Sequence, residues 1–133
     1  MLSIDVKDPQ DFEAAFRMLT QTPVDALVLW DSQLVWRNAG NIMAFAREKH
    51  LPVLASRKLY AEHGALISYG VDERALFRQA AIYVHKIVKG ANPTDLPVER
   101  PVTFELVINE LTAKGLGVNI PPSLLQWADQ VIQ

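Results

Sequence analysis

Three short apolar runs constrain this chain more than any other feature: Ala26-Leu27-Val28-Leu29-Trp30, Leu51-Pro52-Val53-Leu54-Ala55 and Ala65-Leu66-Ile67-Ser68. Each has the length of a strand. Each also lacks the alternation of a strand with one wet face, so all three read as strands of a buried parallel sheet. The stretches between them carry helical spacing. Trp36 to Lys49 places Ala39, Ile42, Met43 and Ala46 on one side, and Lys58 to Glu62 forms a short helix closed by Gly64. Upstream, Leu2, Ile4 and Val6 alternate with Ser3, Asp5 and Lys7, the period of a further strand. Asp8-Pro9 then opens a helix bearing Phe12, Ala15, Phe16 and Leu19, which Pro23 stops. The β-α-β-α-β-α-β order predicts an α/β fold, a three-layer α/β/α arrangement around a mainly parallel sheet.

The pattern changes past Gly70. Val71 to Lys89 is the strongest helix signal, with Leu76, Phe77, Ala80, Ala81, Val84, Ile87 and Val88 covering an arc of about 140°. Gly90 suits the residue after its end. A Pro-rich connection, Ala91 to Pro97, precedes a strand from Thr103 to Ile108. Asn109 is placed to cap a short helix ending near Gly115. Pro121-Pro122-Ser123 opens a last helix running through Leu124, Leu125, Ala128 and Val131.

Composition removes whole classes of function. A length of 133 residues, half of them hydrophobic, fits one globular domain. A formal charge of −2 gives no electrostatic case for nucleic acid. With no cysteine there is no disulfide, thiolate zinc site or Cys nucleophile. His50, His63 and His85 stand far apart without metal-ligand spacing. No Gly-x-Ser-x-Gly, His-Glu-x-x-His or phosphate-binding glycine loop occurs, so neither an enzyme nor a cofactor is expected. Met1-Leu2-Ser3-Ile4-Asp5 lacks the basic start and apolar run of a secretion signal, so the chain as written is expected to stay in the cytoplasm.

Ligands of open α/β sheets sit beyond the carboxyl ends of the parallel strands. That rule selects three loops: Trp30-Asp31-Ser32-Gln33, Ser56-Arg57-Lys58 and Ser68-Tyr69-Gly70. Asp31 suits a ligand ammonium, Trp30 or Tyr69 an aromatic face, and Ser32 or Ser56 a hydrogen bond. Plainer roles compete. Trp30 would simply cover the sheet end, Asp31 would cap the next helix, and Tyr69 would pack between lobes. Arg57 and Lys58 read as solvated. A receiver-like signalling domain phosphorylated on Asp31 is the enzymatic-class rival. It lacks an acidic pair after the first strand and a Lys-Pro after the fourth.

The tail carries an ordered series of motifs. Ser68-Tyr69-Gly70 precedes the long helix ending Lys86-Ile87-Val88-Lys89-Gly90-Ala91-Asn92-Pro93. Asp95-Leu96-Pro97-Val98-Glu99, Phe104-Glu105-Leu106-Val107-Ile108-Asn109, Thr112-Ala113-Lys114 and Ile120-Pro121-Pro122-Ser123-Leu124-Leu125 follow. Together with Asp8-Pro9, Asp11-Phe12 and Gly64-Ala65-Leu66, this series resembles the C-terminal half of ABC transporter substrate-binding proteins, the group that includes tryptophan- and tyrosine-uptake receptors. The resemblance implies one lobe of a type I periplasmic-binding-protein-like fold plus segments that cross between lobes. On that basis residues 1–69 form the core of the second lobe. Residues 70–133 form a crossing helix, a return strand and a C-terminal helix, with Gly70 as hinge. It implies a small polar solute such as an aromatic amino acid, an ABC permease as partner of a full-length form, and a periplasmic or cell-surface location for such a form. The chain itself would then be a truncated version, and the apolar face from Leu76 to Val88 would drive self-association.

Overall fold

A computed structural model describes all 133 residues. The three apolar runs become three adjacent strands in chain order: β1 (Leu27–Val28), β2 (Val53–Ala55) and β3 (Ile67–Val71). All three are parallel, with Leu27 opposite Val53 and Ala55 opposite Ser68. β4 (Phe104–Asn109) pairs antiparallel with β3, and β5 (Gln130–Ile132) runs parallel to β4. The expected α/β class and mainly parallel sheet are both present.

Side chains alternate across the sheet, so register decides which residues meet the helices. Leu27, Val53 and Ala55 share one face and are buried. Against them pack Phe12 of α1 (Asp11–Gln21), Val35 of α2 (Gln33–Arg37), Ala39, Ile42, Met43 and Ala46 of α3 (Ala39–Glu48), and Tyr60 of α4 (Lys58–Glu62). The Phe16 and Phe45 rings stack with centroids 4.6 Å apart and extend this layer. The other face differs. Val28, Leu54, Tyr69 and Phe104 are exposed there, while Ile108 on the same face is fully buried. The sheet is thus clothed on one side along β1–β3 and left bare on the other.

α5 (Glu73–Val88) begins at Asp72, whose carboxylate accepts from the Arg74 and Ala75 amides. It ends in a Schellman motif: Ala91 N–H donates to the Lys86 carbonyl, and Gly90 takes a φ of 99°. None of its 16 residues is buried. Asn109 caps α6 (Glu110–Leu116) through the Thr112 amide, as its position suggests. No helix is long and apolar enough to cross a membrane.

Three expectations need correction. Residues 2–6 do not form a strand, because no ladder partner lies beside them; alternation makes a segment fit for a sheet but a neighbour must supply the hydrogen bonds. The helix over 36–49 is instead two helices that meet at Asn38, whose amide already bonds the Leu34 and Val35 carbonyls. The terminal helix does not reach Val131. It stops as α7 (Pro122–Trp127), and the chain turns into β5, held by Asp129, whose amide donates to the Leu106 carbonyl while its carboxylate accepts from the Leu106 amide.

α3 ends on a costly residue. His50 occupies the left-handed region, φ 55°, where its amide donates to the Arg47 carbonyl and that of Leu51 to Ala46. A Cβ in that region costs about 1 kcal/mol or more, and glycine avoids it. His50→Gly should therefore raise stability to urea by about 0.5–1 kcal/mol, after allowing for the added freedom of the unfolded chain. An unchanged or lower midpoint would mean that the imidazole itself stabilises this turn.

Candidate functional site

The parallel register brings the selected residues to one place. Val28, Leu54 and Ile67 lie side by side across three strands, and Leu29 N–H still donates to the Leu54 carbonyl at 2.9 Å. Trp30, Ser56 and Tyr69 each stand two residues further on. They therefore fall at one level across three adjacent strands, a span of about 10 Å from first to third. Trp30 is 89% exposed and covers nothing in this chain, against its reading as a lid on the sheet end. Tyr69 is 58% exposed and its ring stacks on Phe104 at 5.8 Å, so part of its surface is used in packing. It sits inside β3 and not in a loop.

Asp31 and Ser32 divide the work at the end of β1. Ser32 caps α2, its hydroxyl accepting from Val35 N–H at 3.1 Å. Asp31 is thereby released from the capping role it was suited to. Its Oδ1 instead accepts from the Tyr60 hydroxyl at 2.8 Å, and its Oδ2 faces Arg57 Nη1 at 3.6 Å. Arg57 reaches Glu73 at the start of α5 with its other terminal nitrogen, at 2.7 Å. The guanidinium also lies over the Trp36 ring, 5.9 Å from its centre, and Trp36 meets Tyr60 edge to face. Asp31, Tyr60, Trp36 and Arg57 thus close a ring of contacts joining the ends of β1 and β2 to α5.

Magnitudes separate the roles within this ring. The Arg57, Asp31 and Glu73 side chains are each a third or more exposed, so their ion pairs contribute less than about 1 kcal/mol. The Tyr60 hydroxyl is different, because the residue is fully buried and its acceptor is charged. Such a bond contributes roughly 1.5–3 kcal/mol. Tyr60 holds the Asp31 carboxylate in place, whereas Arg57 orients the rim.

Gly70 lies within β3 opposite Glu105. A Cβ there would stand 1.7 Å from the Ser56 carbonyl oxygen, so only glycine lets β3 approach the end of β2 this closely. The boundary drawn between residues 69 and 70 falls inside this strand. Arg57, read from sequence as solvated, proves central, and Tyr60 was passed over. A tyrosine on a short helix between two buried strands is a signal for a buried hydroxyl that needs an acceptor. No three His, Cys, Asp or Glu side chains stand where they could hold a metal ion. Asp31 thus lacks the acidic neighbours that hold magnesium in a phosphoryl-accepting site.

Burial, reinforced by the bond to Asp31, pushes the Tyr60 hydroxyl well above its usual pKa near 10. Below that pH, both folded and unfolded chains keep the proton and the interaction is fully present. Above it, the unfolded chain releases a proton that the folded chain retains, so stability falls as pH rises. Tyr60→Phe should cost about 1.5–3 kcal/mol near neutrality and show a shallower loss of stability above about pH 10. Urea titrations of both proteins at pH 7 and in the alkaline range would check the crossover. Parallel alkaline slopes would assign the loss to other groups.

Comparison with known proteins bears on the fold and the family. A solved domain from Streptococcus pneumoniae, described as an ABC domain in complex with L-Trp, superposes with a TM-score of 0.85 at 28% identity, covering 96% of this chain and 43% of that one. A conserved domain protein from Vibrio cholerae gives 0.82 at 27% identity, covering 93% and 42%. A tyrosine-binding protein of Clostridioides difficile is 28% identical over 95 residues, which is 71% of this chain and 28% of that relative. The chain therefore spans under half the length of each of these proteins. The sequence profile of one family matches residues 1–132, and by that match the chain belongs to the ABC transporter substrate binding proteins.

Proposed function

We propose that this chain supplies one wall of a solute cleft and binds a small polar solute with an aromatic body, such as an aromatic amino acid. The row formed by Trp30 and Ser56 just past β1 and β2 and by Tyr69 abreast of them within β3, with Asp31 and Ser32 next in the chain after Trp30, carries this reading. Trp30 and Tyr69 provide the flat faces, Asp31 the counter-charge for an ammonium, and Ser32 and Ser56 hydroxyls for hydrogen bonds. A relative in complex with L-Trp and another named for tyrosine support the ligand class. The second wall of the cleft would come from the part of the longer relatives that has no counterpart here. In a longer form the partner would be an ABC permease, the location periplasmic or cell-surface, and the role delivery of solute without catalysis.

Nuclear magnetic resonance titration with L-tryptophan, L-tyrosine, L-glutamate and a neutral sugar tests the reading. The aromatic amino acids should move the Trp30 indole and Tyr69 amide resonances saturably in the millimolar range, as a single open wall implies. Trp30→Ala should weaken that binding by up to about tenfold. Silence across the panel, from a folded protein, would overturn it.

A second reading, that the chain also self-associates, is favoured by α5. Leu76, Phe77, Val84, Ile87 and Val88 are all exposed along its length. A stripe of that size normally finds a partner, and two copies covering each other's α5 would bury it. Light scattering at micromolar concentration should report a dimer that Phe77→Glu dissolves. A monomer at all concentrations would refute this.

A further inference from the structure

Two β elements of this chain are left unpaired. The first is the outer edge of β1, the terminal strand in the order β1-β2-β3-β4-β5. Leu27 and Leu29 donate their amides to the Pro52 and Leu54 carbonyls, both at 2.9 Å. Successive residues turn their backbone groups to opposite edges, so Val28 presents its amide and carbonyl outward, where no strand lies. Exposed edges are normally blunted by charge, proline, a bulge or a covering segment. From Ala26 to Trp30 there is neither charge nor proline, and Val28 is 69% exposed. The second element is the segment from Leu2 to Val6. It alternates as a strand does, with Ile4 and Val6 half-buried and Ser3, Asp5 and Lys7 exposed, yet it makes no backbone–backbone hydrogen bond. Nor is it loose. Val6 packs on the cluster that holds Leu27 and Phe12, and the Asp11 carboxylate accepts from the Lys7 and Asp8 amides where the chain enters α1.

We propose that a slot one strand wide lies between Leu2–Val6 and β1, and that it captures an extended segment of another polypeptide and builds it into the sheet. The connection sets the width. Leu2–Val6, α1 and β1 follow one another as a parallel crossover, with α1 packed on the clothed face. An α-helix is about 10 Å across, or two strand spacings of about 4.8 Å, so α1 leaves room for one more strand between the elements it joins. The lining sets the chemistry of the occupant. On the clothed side its alternate residues meet the layer formed by Val6, Leu27 and Phe12, and so must be apolar. On the bare side they lie between the exposed Val28 and Asp5, where an uncharged polar residue is tolerated. Both of its edges find backbone partners, so it carries no proline. This is recognition by strand addition, in which main-chain hydrogen bonds give affinity and every second side chain gives selectivity.

The test is amide hydrogen exchange on the whole chain, with and without a short uncharged peptide that alternates valine with threonine. The same peptide with proline at its centre is the control. At saturation the first peptide should slow exchange of the Val28 amide and of alternate amides in Leu2–Val6, each by at least about tenfold. Leu27 and Leu29, already bonded to β2, should change little, and the proline peptide should do nothing. Val28→Pro removes the outward donor and leaves the bonds to β2 in place, so it should weaken binding about fivefold or more. Should that variant lose its native spectrum, Val28→Lys carries the comparison by placing a charge on the edge, with the same loss expected. Unchanged affinity in either folded variant would overturn the proposal. So would protection of Val28 without Leu2–Val6, which means an edge but no slot, or equal protection by the proline peptide. A Val28 amide already protected without peptide would mean that this chain or a second copy closes the edge, and is equally contrary. Silence from the folded wild type ends the proposal.

Discussion

Parallel pairing of β1, β2 and β3 in chain order is the constraint on which the rest depends. Strands that run the same way finish at the same edge, so the three connections leaving them are brought together whatever their sequences. Trp30 and Ser56 are 26 positions apart in the chain and Ser56 and Tyr69 are 13 apart, yet the ladder sets them abreast. The helices between the strands make this possible by packing on a single face, where Phe12, Ile42, Met43 and Tyr60 bury the alternate residues of the ladder. Fold and site are one arrangement seen from two directions.

Tyr60 connects those two directions. Its ring belongs to the core and its hydroxyl belongs to the rim, where it fixes one oxygen of Asp31. A core residue thus sets the position of a surface charge. That also explains why the weak ion pairs of the rim have a defined geometry: Asp31 is held from below, Arg57 from the side by Trp36 and Glu73, and little free energy is needed to keep them there.

Much of this was legible in the residues. The apolar runs announced β1–β3, and turn chemistry announced Gly90 and Asn109 at helix ends. The tail motifs announced the family that the profile match shows. What failed did so for want of tertiary information. Leu2 to Val6 has the alternation of a strand, but pairing is a property of two segments and one of them is not beside it. Val131 fits a helical stripe and a strand equally well over so short a stretch, and Asp129, bonding Leu106 both ways, decides for the strand. Arg57 looked like any exposed cation, since nothing local reveals that Asp31, Trp36 and Glu73 converge on it. The five candidate residues were selected by the strand-end rule alone, which picks out loops without saying which side chains are already engaged.

The uneven clothing of the sheet divides its residues between two masters. Leu27, Val53 and Ala55 answer to the helices of this same chain, and any change there is felt at once in folding. Val28, Leu54 and Phe104 face outward on the side that no helix of that layer covers, and each keeps a large exposed surface. Their hydrophobic character therefore serves whatever surface lies opposite, so natural variation at these positions should track that surface and leave the folding of the lobe almost untouched.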